Sequence, residues 1–174
     1  MRGVKSISEE GRVKRRRRLW LRPQGRSKTQ GPKAKSPSLR TTLPRFALGL
    51  HPRLLGVLEA ICDGPVAAHE GDLCRVVSPG SSDFTTPPHQ DRQYVRSKGE
   101  LWTAWLPLGD CPLDLGPLAV LPKSHLSGLR PHAGEGVGNQ EIAIAEGETW
   151  ASQDLTAGDV IFFQGFTVHR ALDN

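Results

Sequence analysis

The chain has 174 residues, enough for one ordinary domain and a tail, and its formal net charge of +5 is unevenly distributed. Residues 1–45 hold 15 Lys/Arg against 2 Asp/Glu, a net of +13, while residues 46–174 hold 8 against 16, a net of −8. No apolar run approaches the ~18 residues of a transmembrane helix, and the N-terminus lacks the apolar stretch of a secretory signal. Three cysteines without CxxC spacing argue against a disulfide framework or a zinc ribbon and fit a cytoplasmic, intracellular protein.

In chain order, residues 1–42 read as a disordered basic arm, rich in Pro, Ser, Gly and Lys and without apolar periodicity. Its run Lys14-Arg15-Arg16-Arg17-Arg18 has the composition of a nuclear address or a nucleic-acid contact, and the Arg-rich start also suits organellar targeting, against which Glu9 and Glu10 count. A solvated extension is the simpler reading, so nucleic acid is not an expected partner. The compact part, residues 43–174, opens with a short helix over His51–Ile61: Pro52 suits a first turn, and Leu54, Leu55, Leu58 and Ile61 fall at helical spacing. Asp63-Gly64-Pro65 ends it.

Beyond this point short apolar stretches are cut by Gly and Pro, which predicts strands. Candidates are Leu73–Val77, Leu101–Leu108, Leu115–Leu121 (split by Gly116-Pro117), a weakly alternating Glu141–Ala145, Val160–Phe163, and Phe166–Arg170. Short strands at this spacing predict a mostly β fold of barrel or jelly-roll type.

Between the first two candidates lies His89-Gln90-Asp91, entered through Pro87-Pro88. In an extended segment residues i and i+2 point to one side, so His89 and Asp91 could share a metal ion, with His169 closing the set. Two imidazoles and a carboxylate form the facial triad of non-haem Fe(II) oxygenases, which leaves positions open for substrates. With 6 His and 9 Asp in the chain, chance alone supplies about 0.3 such tripeptides, so the tripeptide carries weight only with its surroundings.

Those surroundings are HQD, ELWTAWLPLGDCP, GPLAVLPKSH and LTAGDVIFFQGFTVHRALDN. Together they resemble the phytanoyl-CoA dioxygenase family of Fe(II)- and 2-oxoglutarate-dependent oxygenases, over roughly residues 46–174. The resemblance implies a double-stranded β-helix (jelly roll, cupin-like) with iron in its mouth, held by His89, Asp91 and His169. It implies that Trp105 lines the 2-oxoglutarate pocket and that Gln90 lies near the co-substrate, although a strand would turn Gln90 away from the metal. It further implies a small organic or acyl substrate, O2 as second substrate, and ascorbate as a candidate reductant; oligomeric state is not encoded legibly.

One departure stands out. Family members carry an arginine about ten residues past the distal histidine that pairs with the 2-oxoglutarate 5-carboxylate, a strong bidentate contact, and here the sequence stops at Asn174, five positions after His169. The expectation is a C-terminally incomplete barrel with weak co-substrate binding. Two alternatives stay open: a non-catalytic metal-binding pseudoenzyme of the same fold, and a nucleic-acid-binding protein acting through the arm. Among other residues, His125 reads as a structural hydrogen-bonding group, His51, His69 and His132 as solvent-facing, Trp102 and Trp150 as packing residues, and Arg92 and Arg96 as a solvated face.

Overall fold

A computed structural model describes residues 5–7, 47–69, 73–77, 80, 85–95, 98–134 and 141–174. The chain divides into two compact units, Arg16–Val76 on one hand and Met1–Arg15 with Val77–Asn174 on the other. Strand pairing ties the start of the chain to its C-terminal part, whereas a helix satisfies its backbone within its own stretch. Of the arm read over residues 1–42, only Lys5–Ile7 are described, and they run as a strand; the rest lies outside the described residues.

The first of these units holds helix α1, Pro52–Cys62, close to the predicted span. Pro sits at its start, the His51 side chain caps it by accepting from the Arg53 N–H, and Asp63 ends it in the left-handed region with φ 50°. Leu73–Val77, expected as a strand, takes no regular structure: an apolar run makes a strand only if a partner backbone lies beside it.

The other unit is β-rich. Its strands are β1 (Lys5–Ile7), β2 (Trp102–Trp105), β3 (Leu118–Val120), β4 (Trp150–Ser152), β5 (Ile161–Gln164) and β6 (His169–Ala171). They form an antiparallel four-stranded sheet of order β1-β4-β3-β6 and a two-stranded antiparallel sheet, β2-β5. Outside β6, the segment approaching the HQD tripeptide lies alongside: Ala171 N–H donates to Thr86 O, and His89 bridges His169. Glu141–Ala145 contributes one bridge, Glu141 to Ala133, rather than a strand. Leu115–Leu121 breaks where the sequence placed the break, with a 3-10 turn over Leu113–Leu115, Gly116 at φ 68°, and then β3.

Register separates the faces of the larger sheet. Val120 opposes both His169 and Ala151. Alternation then puts Ala119, Leu121, Trp150, Val168 and Leu172 on the reverse face, and these residues form the buried cluster together with Ile142. Trp150, 2% exposed, is the packing residue expected of it, while Trp102 is half-buried with its indole N–H donated to Glu100. One face of this sheet is thus the core, and the other carries His169.

Candidate metal centre

His89 and His169 exchange two backbone hydrogen bonds, each N–H donating to the other's carbonyl at 3.0 Å. Directly opposed residues of an antiparallel pair project to one face, so their imidazoles lie side by side, with ring centroids 4.1 Å apart. Gln90 is extended (φ −124°, ψ 130°), which returns Asp91 to the same side as His89. The tripeptide is therefore not the start of a full strand: pairing ends at His89, and Asp91 opens a 3-10 turn over Asp91–Gln93. The predicted geometry survives because it needs only two extended residues.

The donor atoms converge. Asp91 Oδ1 lies 3.6 Å from His89 Nε2 and 3.6 Å from His169 Nε2. Ligands about 2.1 Å from one ion lie ~3.0 Å apart when cis and ~4.2 Å apart when trans, so this spacing accommodates a shared ion. Among the described residues, these three form the metal-competent group of histidine, cysteine or acidic side chains.

The backbone also selects the tautomers. His89 Nδ1 lies 2.8 Å from Pro87 O, and His169 Nδ1 lies 3.0 Å from Thr167 O. A carbonyl only accepts, so both Nδ1 atoms carry hydrogen and a neutral ring presents its Nε2 lone pair to Asp91 Oδ1. Burial alone would raise the Asp91 carboxyl; a hydrogen bond from His89 and the charge of His169, both present only when the ring's Nε2 carries a proton, together with the hydroxyl of Thr103, outweigh it and hold Asp91 below the usual carboxylate range. An ionised carboxylate beside two Nε2 lone pairs is a hard, anionic donor set suited to a divalent cation.

The smaller sheet lies against this cluster. Thr103 on β2 and Phe163 on β5 are register partners and so share a face. Thr103 Oγ1 donates to Asp91 Oδ2 at 2.6 Å, and the Phe163 ring lies 4.5 Å from that of His169. Trp105, paired with Ile161, falls on that same face two register pairs along.

Gln90 is turned away from the three donors, as the extended backbone between His89 and Asp91 requires. It points to the reverse side and is fully buried. Its Nε2 donates to Gly128 O at 2.9 Å and to Phe166 O, and its Oε1 accepts from Arg130 N–H at 2.8 Å. The amide is committed to backbone groups and has no hydrogen left to give.

Expectations for several other residues shift. His132 is half-buried rather than solvent-facing: its Nδ1 donates to Arg130 O, and its Nε2 accepts from the Gln90 N–H at 3.3 Å. His51 and His69 are exposed. His125 is exposed, and its neighbour Ser124 has the structural role, donating Oγ–H to Leu121 O and accepting from Val168 N–H. Arg92 is not a solvated face: its Nη1 donates to Gly99 O and its guanidinium lies over Phe166. Arg96 lies outside the described residues. Arg170 lies over Trp150, on the face away from His169.

Sequence reasoning missed Thr103, Phe163 and the bidentate Arg130–Glu148 pair (3.0 and 2.7 Å). Thr103 had a readable signal, a lone hydroxyl in an apolar strand in step with Trp105.

Comparison with known proteins agrees with the geometry. The sequence model of the phytanoyl-CoA dioxygenase (PhyH) family matches residues 11–174. The chain is 31% identical over 137 residues to a 1-deoxypentalenic acid 11-beta-hydroxylase of Streptomyces arenae, covering 71% of this chain and 48% of that protein. It is 30% identical over 139 residues to its counterpart from Streptomyces exfoliatus, with the same coverage. The chain thus spans about half the length of the curated relatives it matches. Among the described residues, no helix is long and apolar enough to cross a membrane.

Proposed function

The chain belongs to the phytanoyl-CoA dioxygenase family, and on that premise we propose that it is a non-haem Fe(II), 2-oxoglutarate-dependent dioxygenase that hydroxylates a small organic or acyl substrate. The carrying observation is the convergence of His89 Nε2, Asp91 Oδ1 and His169 Nε2, with both rings held in the metal-binding tautomer by backbone carbonyls. We assign these three as the ligands and the fold as a double-stranded β-helix. The printed activity of the relatives, a hydroxylation, supports the reaction type.

Bound iron with 2-oxoglutarate and O2 supplies the oxidation, in which R–H, O2 and 2-oxoglutarate become R–OH, succinate and CO2. The residues of this chain supply geometry. Three ligands from one face leave the opposite face open, Thr103 and Phe163 wall the site from the smaller sheet, and Trp105 continues that wall toward the position proposed for 2-oxoglutarate. A reducing intracellular location accords with Cys62, Cys74 and Cys111 being free thiols.

The test is anaerobic loading with Fe(II), then addition of O2, 2-oxoglutarate and ascorbate, with succinate as the readout. The wild-type chain binds one Fe(II) and forms succinate, and His169→Ala does neither. Binding without succinate leaves a metal-binding, non-catalytic family member; equal binding by wild type and His169→Ala refutes the ligand assignment.

A further inference from the structure

We propose that Thr103 is a positioning residue that makes Asp91 a one-oxygen ligand; this rests on the metal reading above. A carboxylate has two equivalent oxygens and can grip a cation through either or both. In this site the two are made different. Oδ1 faces both imidazoles at 3.6 Å, while Oδ2 lies 2.6 Å from Thr103 Oγ1. An ionised carboxylate cannot donate, so the hydroxyl does, and the length is that of a charge-assisted O–H···O⁻ bond.

The placement of Thr103 is fixed by the fold. Its backbone is held in β2 by pairing with Phe163 of β5, and its branched Cβ restricts the side-chain torsion. Phe163, its register partner, lies against His169. One cross-strand pair of the smaller sheet thus buttresses two of the three donors, Asp91 and His169.

The consequence concerns the open positions. With Oδ2 occupied by the hydroxyl, Asp91 fills one coordination position and leaves its neighbour for a chelating co-substrate. Without the hydroxyl, the carboxylate is free to rotate, and the metal loses an oriented ligand.

Three forms of the full chain test this, with Asp91→Ala as a control for the ligand assignment: wild type, Thr103→Val, which keeps the shape and removes the hydroxyl, and Thr103→Ser, which restores it. Binding of Mn(II) alone is titrated, visible absorption of the Co(II)-loaded chain reports coordination, and thermal melts without metal report the fold. Thr103→Val is expected to weaken Mn(II) binding by roughly 10–100-fold and to alter the Co(II) spectrum, with Thr103→Ser close to wild type in both and all three melts alike. Thr103→Val with wild-type Mn(II) affinity and Co(II) spectrum overturns the role of Thr103 and leaves the ligand assignment standing. A Thr103→Val chain that melts early while Thr103→Ser fails to restore affinity also overturns it. If wild type and Asp91→Ala bind Mn(II) equally, the ligand assignment falls and this proposal with it.

Discussion

Replacing Gln90 by leucine removes an amide while keeping most of the buried volume, so its effect isolates the hydrogen bonds. Three are lost: Nε2 to Gly128 O, Nε2 to Phe166 O, and Arg130 N–H to Oε1. At about 1 kcal/mol of net stabilisation each, the loss is about 3 kcal/mol. That is a lower figure, because Gln90 is 0% exposed and each abandoned partner that stays dry adds roughly 1–3 kcal/mol of unmet desolvation. Equilibrium urea unfolding measures it: with m of about 1–3 kcal/mol/M, the midpoint falls by roughly 1–3 M at unchanged m. Gln90→Glu sharpens the test, since an ionised carboxylate would face two carbonyl oxygens, so this variant recovers stability as acid restores one donor hydrogen. A loss below about 1 kcal/mol for Gln90→Leu would refute the reading of Gln90 as a clamp.

Two further outcomes follow from local geometry. Gly116→Ala puts a methyl group onto the Leu172 carbonyl oxygen and forces alanine to φ 68°, so it should cost about 2 kcal/mol or more, read as a fall in the urea midpoint. For the Arg130–Glu148 pair, the hydrogen bonds from Arg130 hold Glu148 below its ordinary value of 4.5. The unfolded chain takes the proton first, so the advantage over Glu148→Gln is complete above that value and disappears as pH falls through the lower folded one. It should amount to less than about 1 kcal/mol at neutral pH because the pair is partly solvated; unfolding curves of both forms from neutral pH to about pH 3 check it.

What the sequence revealed was what local pattern encodes. Helix α1 emerged from its proline and helical spacing, β5 from an apolar run after a turn, and the three donors from a two-residue step plus a distant histidine. What it hid depends on partners far away along the chain. Gln90 bonds to carbonyls 38 and 76 positions distant, and nothing in HQD reveals that two backbone oxygens arrive there. Leu73–Val77 has the composition of a strand but no strand pairing, whereas Lys5–Ile7, in a stretch too polar to draw notice, pairs with β4. Strand formation is decided by the neighbouring backbone as much as by the segment's own residues.

The candidate metal centre and the sheet are consequently built together. His89 and His169 are brought together by a pair of backbone hydrogen bonds, not by contacts of their side chains. Pro87 and Thr167, whose carbonyls set the tautomers, each lie two residues before the histidine they hold, so a ring and its partner move together. On the reverse face Gln90 joins the segment before His169 to the loop at Gly128–Arg130, and Arg130 is in turn anchored on Glu148. A change that slips the His89–His169 register by one residue would turn one imidazole into the core. Metal affinity should therefore respond to substitutions on both faces of this sheet, directly on the side of Thr103 and through backbone register on the side of Gln90.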